Sequence, residues 1–221
     1  MSRTTNWTDM LSLFASIAII GLVAVWTVEN GFVTGVLNTG RSMTWQYIRA
    51  SGITAYILFA VSTLWGVALS SKAVKDWSPG PLSMLLHAST SWLGVGFAAL
   101  HALLLLFDQY VPYRPVEILI PFTGPYRPIA VGLGTITFWL MVLVAFSFAA
   151  KKRIGHRRWK LLHYTSYAGF FTVTVHALLA GTDAGRLGFQ ILFVLAALSV
   201  AALTGYRAGM SKPGKARAHQ G

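Results

Sequence analysis

Six apolar runs dominate this chain and leave little choice of environment. They cover approximately 10–30, 48–70, 82–107, 129–150, 161–181 and 187–205. At about 1.5 Å of rise per residue, some twenty helical residues cross the roughly 30 Å hydrocarbon layer of a bilayer. Every backbone N–H and C=O must be satisfied there without water, which runs of this length achieve as helices. The expectation is an all-α fold, an integral membrane six-helix bundle. With 55% hydrophobic and 11% charged residues, the chain has too little polar surface for a soluble domain. The first run is too long for a signal peptide and lacks a small-residue cleavage site, so it reads as a retained helix.

A formal charge of +12 raises the question of nucleic acid, but the distribution argues against it. Six of the eighteen basic residues fall in KKRIGHRRWK at 151–160, between two apolar runs, which suits a topogenic loop better than a basic groove interleaved with aromatics. With the N-terminus cytoplasmic, the inner side collects Arg3, Lys72, Lys75, those six, Arg207, Lys212, Lys215 and Arg217. The outer side collects only Arg41, Arg49, Arg114, Arg127 and Arg186. That bias predicts a multi-pass protein of the cell inner (cytoplasmic) membrane, surrounded by lipid, with both termini cytoplasmic. Three segments follow: 1–44 with the first span, a helical domain over 45–207, and a disordered basic cytoplasmic tail over 208–221. The outer stretch DQYVPYRPVEILIPFTGPYRP at 108–128 reads either as a lid lying on the membrane surface or as an ordinary connection with interfacial tyrosines.

The chain has no cysteine, so disulfides, thiolate zinc sites, Cys-ligated iron–sulfur clusters and covalent haem attachment are excluded. Histidine and carboxylate remain as strong metal ligands. Of six histidines, His156 lies in the basic segment and His219 in the tail, where both are expected to be solvated. The other four lie inside predicted spans, where an ionisable residue is costly and is a functional candidate by default.

Those four form a pattern. The third span carries His87 and His101, fourteen apart, and the fifth carries His163 and His176, thirteen apart. Both spans run from inside to outside, so His87 and His163 fall at one level and His101 and His176 about 20 Å further out. The outer ends agree, since His101 precedes Asp108 by seven residues and His176 precedes Asp183 by seven. Facing imidazoles at two depths suit two stacked, bis-histidine b haems between the third and fifth spans, because neutral imidazole is a good iron ligand and six-coordinate haem exchanges one electron. Fourteen residues at about 100° each bring His87 and His101 to one helix face, whereas thirteen leave His163 and His176 about 140° apart. Either the fifth helix is irregular, near Gly169, or its two rings reach the cofactor from opposite sides. Gly94 and Gly96 in HASTSWLGVGFAALH and Gly169 in HYTSYAGFFTVTVH would let a flat macrocycle approach the backbone, or would serve close helix packing. Arg49 lies near the level of His101 and His176, placed to meet an outer haem propionate or to anchor the interface. Arg157, Arg158, Trp159 and Lys160 lie just below His163, serving an inner haem or acting only as topogenic charge.

Residues 45–207 resemble the ferric reductase-like transmembrane domain of ferric reductases, NADPH oxidases and the haem subunit of the bacterial methionine-sulfoxide reductase system. The resemblance is carried by RASG at 49–52, the two paired-histidine spacings and WKLLHYTSY at 159–167, while PFTGPYRP at 121–128 and HALLAGTD at 176–183 look like stand-alone bacterial members. It implies a six-helix bundle with two haem b groups, the inner on His87 and His163, the outer on His101 and His176 with Arg49 near its propionates. It also implies electron flow from inside to outside, as an oxidoreductase or an electron-transfer subunit. There is no Gly-rich dinucleotide fingerprint, so the expected donor is a separate flavoprotein or a quinol. The expected acceptor is ferric iron, oxygen, a quinone or a periplasmic redox protein, with no nucleic-acid partner. The methionine-sulfoxide reductase haem subunit typically lacks the first histidine of this set, which His87 supplies here. A non-redox membrane scaffold or transporter with structural histidines is the competing class.

Overall fold

The computed structural model describes residues 41–71 and 79–210, together with Ala18. The described residues are helical and contain no strand. In chain order they form α1 (Arg41–Ser70), α2 (Gly80–Leu104, continued by a 3-10 turn at Leu105–Phe107), a short α3 (Pro115–Leu119), α4 (Pro128–Ile154), α5 (His156–Ala180) and α6 (Leu187–Met210). Proline opens α2, α3 and α4, where its missing N–H costs nothing and its fixed φ suits the first turn. The predicted first span at 10–30, Lys72, Lys75 and the tail beyond Met210 lie outside the described residues. The tail was expected to begin at 208, but α6 continues to Met210.

Among the described residues four helices are long and apolar enough to cross a membrane: α1 over Met43–Ser70, α2 with its 3-10 extension over Gly80–Phe107, α4 over Pro128–Ile154 and α6 over Leu187–Gly209. Large apolar side chains are exposed along them, including Leu143, Phe146, Leu195 and Leu198. Such surface suits lipid rather than water. α5 is as long at 25 residues but too polar to join that set.

Packing divides the bundle into two helical hairpins. α1 lies along α2 and α4 along α5; α1 also meets α5 and α6. Polar contacts tie each hairpin internally: Ser62 Oγ to Ser91 Oγ at 2.6 Å and Trp65 Nε1 donating to the Ser83 carbonyl at 2.9 Å join α1 to α2, and Thr137 Oγ1 to Thr172 Oγ1 at 2.7 Å joins α4 to α5. Such bonds hold helices together where apolar burial gives little preference over lipid. A core of Tyr56, Ala60, Phe170, Phe193, Ala196 and Val200 fastens α1, α5 and α6. Trp92 of α2 meets Phe146 of α4 edge-on at 5.0 Å, clasping one hairpin to the other. α2 and α5 are not among the closely packed pairs.

The basic segment differs from the expected loop. α4 carries Lys151, Lys152 and Arg153 in its last turn, α5 begins at His156, and Gly155 alone separates them at φ 81°. That conformation is open to glycine and costly for other residues, so one residue reverses the chain.

Candidate functional site

The interval between α2 and α5 is bridged by histidine rings at two levels. His87 faces His163 with ring centroids 6.0 Å apart and planes at 74°. His101 faces His176 at 6.3 Å and 76°. The N-terminal histidine of each helix meets its counterpart, as does the C-terminal one, which requires α2 and α5 to run parallel. α5 is unbroken from His156 to Ala180, so its thirteen-residue offset is taken up by side-chain reach rather than by an irregular turn at Gly169.

Three of the four rings share one mode of support. His101 Nδ1 lies 2.8 Å from the Ile48 carbonyl, His176 Nδ1 2.8 Å from the Ala130 carbonyl and His87 Nδ1 3.0 Å from the Ser62 carbonyl. A carbonyl oxygen only accepts, so Nδ1 carries the proton in each, and the neutral ring keeps its lone pair on Nε2. In each case the residue four positions after the carbonyl is a glycine beneath the ring. A methyl group added there would sit 2.9 Å from His101 at Gly52, 2.7 Å from His176 at Gly134 and 3.0 Å from His87 at Gly66. The backbone of α1 thus seats both histidines of α2, and the backbone of α4 seats His176.

His163 is held differently. Among the described residues it has no carbonyl partner; its ring lies along the indole of Trp159 at 5.0 Å and 22°. Trp159 is braced by the Lys151 ammonium 4.2 Å from a ring centroid, by the edge of Phe148 and by His156, which is exposed to solvent.

The outer pair opens into a cavity of about 680 Å³, within the range of sites for large cofactors. Asp108 and Asp183, both buried, line it with His101 and His176. The outer segment closes it: Tyr113 is buried against Gly124, and its hydroxyl reaches the Tyr126 carbonyl at 3.4 Å. Burial pushes the Tyr113 phenol above its ordinary pKa. Arg49 also lines the cavity, with its guanidinium engaged by Asp183: Nε donates to Oδ2 at 2.6 Å, and Arg186 Nε reaches Oδ1 at 3.2 Å.

Of the glycines singled out in the sequence, Gly94 faces Phe59 and Leu58 of α1, and Gly169 faces Met141 and Leu140 of α4. Both are contacts within a hairpin. Gly96 lies half-buried on α2. The glycines that touch histidine, Gly52, Gly66 and Gly134, were not singled out. Each lies 21–49 positions from its ring along the chain, so no local spacing marks it; a glycine at histidine depth on a neighbouring span was the available signal.

The chemistry of this donor set fits haem. Two metal–imidazole bonds of about 2 Å on opposite sides of one ion place ring centroids roughly 6.3 Å apart, close to both observed pairs. Among the described residues no three metal-ligating side chains converge. A haem would need only two nitrogen donors from the chain, which His87 with His163, and His101 with His176, would supply. The carbonyl contacts fix tautomer and ring orientation, as partners beyond the ligands do at metal sites generally. No family model, curated protein or solved structure matches this chain.

Proposed function

We propose that this chain is a transmembrane electron-transfer cytochrome of the ferric reductase-like kind, a six-helix bundle holding two b haems on the pairs His87/His163 and His101/His176. The reading is carried by the two facing imidazole pairs, three of whose rings have Nε2 freed for a metal by a backbone acceptor on Nδ1. Bound at these places, haem would supply reversible one-electron exchange between ferric and ferrous iron. The chain's part is to hold the rings, exclude water and set charge around them. Arg49, held by Asp183, keeps a positive group at the outer site. On this reading the basic junction at 151–160 marks the cytoplasmic side. Electrons enter from a separate flavoprotein or a quinol and leave to ferric iron, oxygen, a quinone or a periplasmic redox protein.

The test is the purified protein itself. It should be red, with a dithionite-reduced b-type spectrum and two haems per chain; a colourless, correctly folded preparation overturns the reading. One observation favours the narrower role of a haem subunit for a periplasmic reductase. The outer segment exposes Val116, Leu119, Ile120 and Phe122 as a compact apolar group, suited to a docking partner. Recovery of a soluble reductase with the tagged protein supports that role, and unaided reduction of ferric chelates by the isolated protein counts against it.

A further inference from the structure

We propose that Trp159 is the positioning residue of the inner histidine pair, and that its indole N–H is the donor this chain offers to a carboxylate of the group held there, an inner haem propionate. The inference rests on the haem reading above and adds a role for a residue outside the ligand set.

The first observation is the exception at His163. Three rings are oriented by a backbone carbonyl and a glycine; His163 has neither, and the only ring surface parallel to it among the described residues is Trp159, one helical turn earlier. The indole is itself held from three sides, by Lys151, Phe148 and His156. It can therefore transmit a fixed orientation to the imidazole beside it.

The second observation is independent of stacking. Trp159 Nε1 is buried and has no hydrogen-bond partner among the described residues. An indole nitrogen only donates, and leaving such a donor buried and unpaired forfeits the hydrogen bond it makes in water. Buried indoles ordinarily find an acceptor. The chain has six acidic residues and none between 118 and 182, while the surroundings of Trp159 are cationic. Of the six, Asp9, Glu29 and Asp76 lie outside the described residues, and Asp108, Glu117 and Asp183 lie at the opposite end of the helices, so the acceptor that also meets the Lys151 ammonium is assigned to an anion brought by the ligand. A propionate on the inner haem meets both requirements.

The test uses the haem-loaded full chain. Trp159→Phe keeps an aromatic face and removes the N–H; incorporation of benzothienylalanine at 159 keeps the shape as well. Redox titration and low-temperature EPR are read together. Both substitutions should retain two haems, while one of the two midpoint potentials falls, because a propionate deprived of its donor presents more negative charge to the iron. The other midpoint stays in place. Trp159→Leu should also change the g-anisotropy of one low-spin signal as the His163 ring loses its support. In the wild type, the ultraviolet resonance Raman band that reports indole N–H bonding, isolated by difference against Trp159→Phe, should shift between haem-loaded and haem-stripped protein. Unmoved midpoints with that band insensitive to haem overturn the role of Trp159 and leave the cytochrome standing. A band that responds to Asp76→Asn and not to haem assigns the donor to that carboxylate and also overturns it. Wild-type protein without haem removes the proposed function and this inference together.

Discussion

At the outer level both rings rest on a glycine and donate to a backbone carbonyl; at the inner level His87 does so, and His163 lies along Trp159 instead. The difference is between support built from main chain and support built from a side chain. A carbonyl inside a helix cannot be repacked or substituted, so the outer ring orientations are set once the hairpins close. An indole can be exchanged, and the ring orientation it imposes can be altered by one substitution. Polar neighbours follow the same division. The outer level is surrounded by Asp108, Asp183 and Arg49, while the inner junction is overwhelmingly cationic.

The strongest way to break this comparison is to remove a ring from each level. His101→Ala should lose the outer haem and keep the inner, and His163→Ala the reverse, read as half the haem per chain in a pyridine haemochrome assay. Loss of neither haem from both variants would defeat the two-level description. Next come the seats. Gly134→Ala and Gly52→Ala put a methyl group against the outer rings at 2.7 and 2.9 Å, and Gly66→Ala against the inner ring at 3.0 Å. Overpacking of this kind costs about 1–3 kcal/mol. The first two should weaken haem retention at the outer level only, Gly134→Ala most, and Gly66→Ala at the inner level least. Retention measured during competition with apomyoglobin orders them; a reversed order would mean that the seats do not set ring position.

A smaller effect should follow at the ion pair. Asp183→Asn removes the carboxylate that holds a partly exposed Arg49, and should lower stability by about 1–2 kcal/mol with haem still bound. A cycle with Arg49→Met, read by thermal unfolding in detergent, should return part of that loss. The smallest changes are expected at the packing glycines. Gly169→Ala meets the flexible end of Met141 and should cost under about 1 kcal/mol, Gly94→Ala somewhat more against the Phe59 ring, both with haem content unchanged. Haem loss in Gly169→Ala would place that glycine at the cofactor after all.

Hydropathy was enough to locate most helices, because a span must be apolar for about twenty residues whatever it packs against. The predicted 129–150 and 187–205 fall within α4 and α6. Ends were less visible. α1 begins at Arg41 rather than 48 because RSMTWQY is helical without being apolar, and α4 and α5 continue through Lys151–Arg153 and His156–Lys160, past the point where hydrophobicity stops. The four histidines stood out because charge-bearing side chains are rare at that depth. Their seats did not, since a carbonyl carries no sequence signature and its glycine lies on another helix. The partner of Arg49 was missed for a related reason: Asp183 was noted only for its distance from His176, and 134 residues separate it from the arginine it meets.

The polarity of α5 bears on how the chain reaches its membrane. A segment with two histidines and several hydroxyl side chains partitions poorly from the translocon into lipid by itself. α4 immediately precedes it, is strongly apolar and is joined to it through Gly155 alone. The two are therefore expected to enter as one hairpin, the second limb drawn in by the first. Synthesis would then present the α2 histidines to the bilayer well before their partners on α5, making biogenesis of this protein a matter of timing as much as of hydrophobicity.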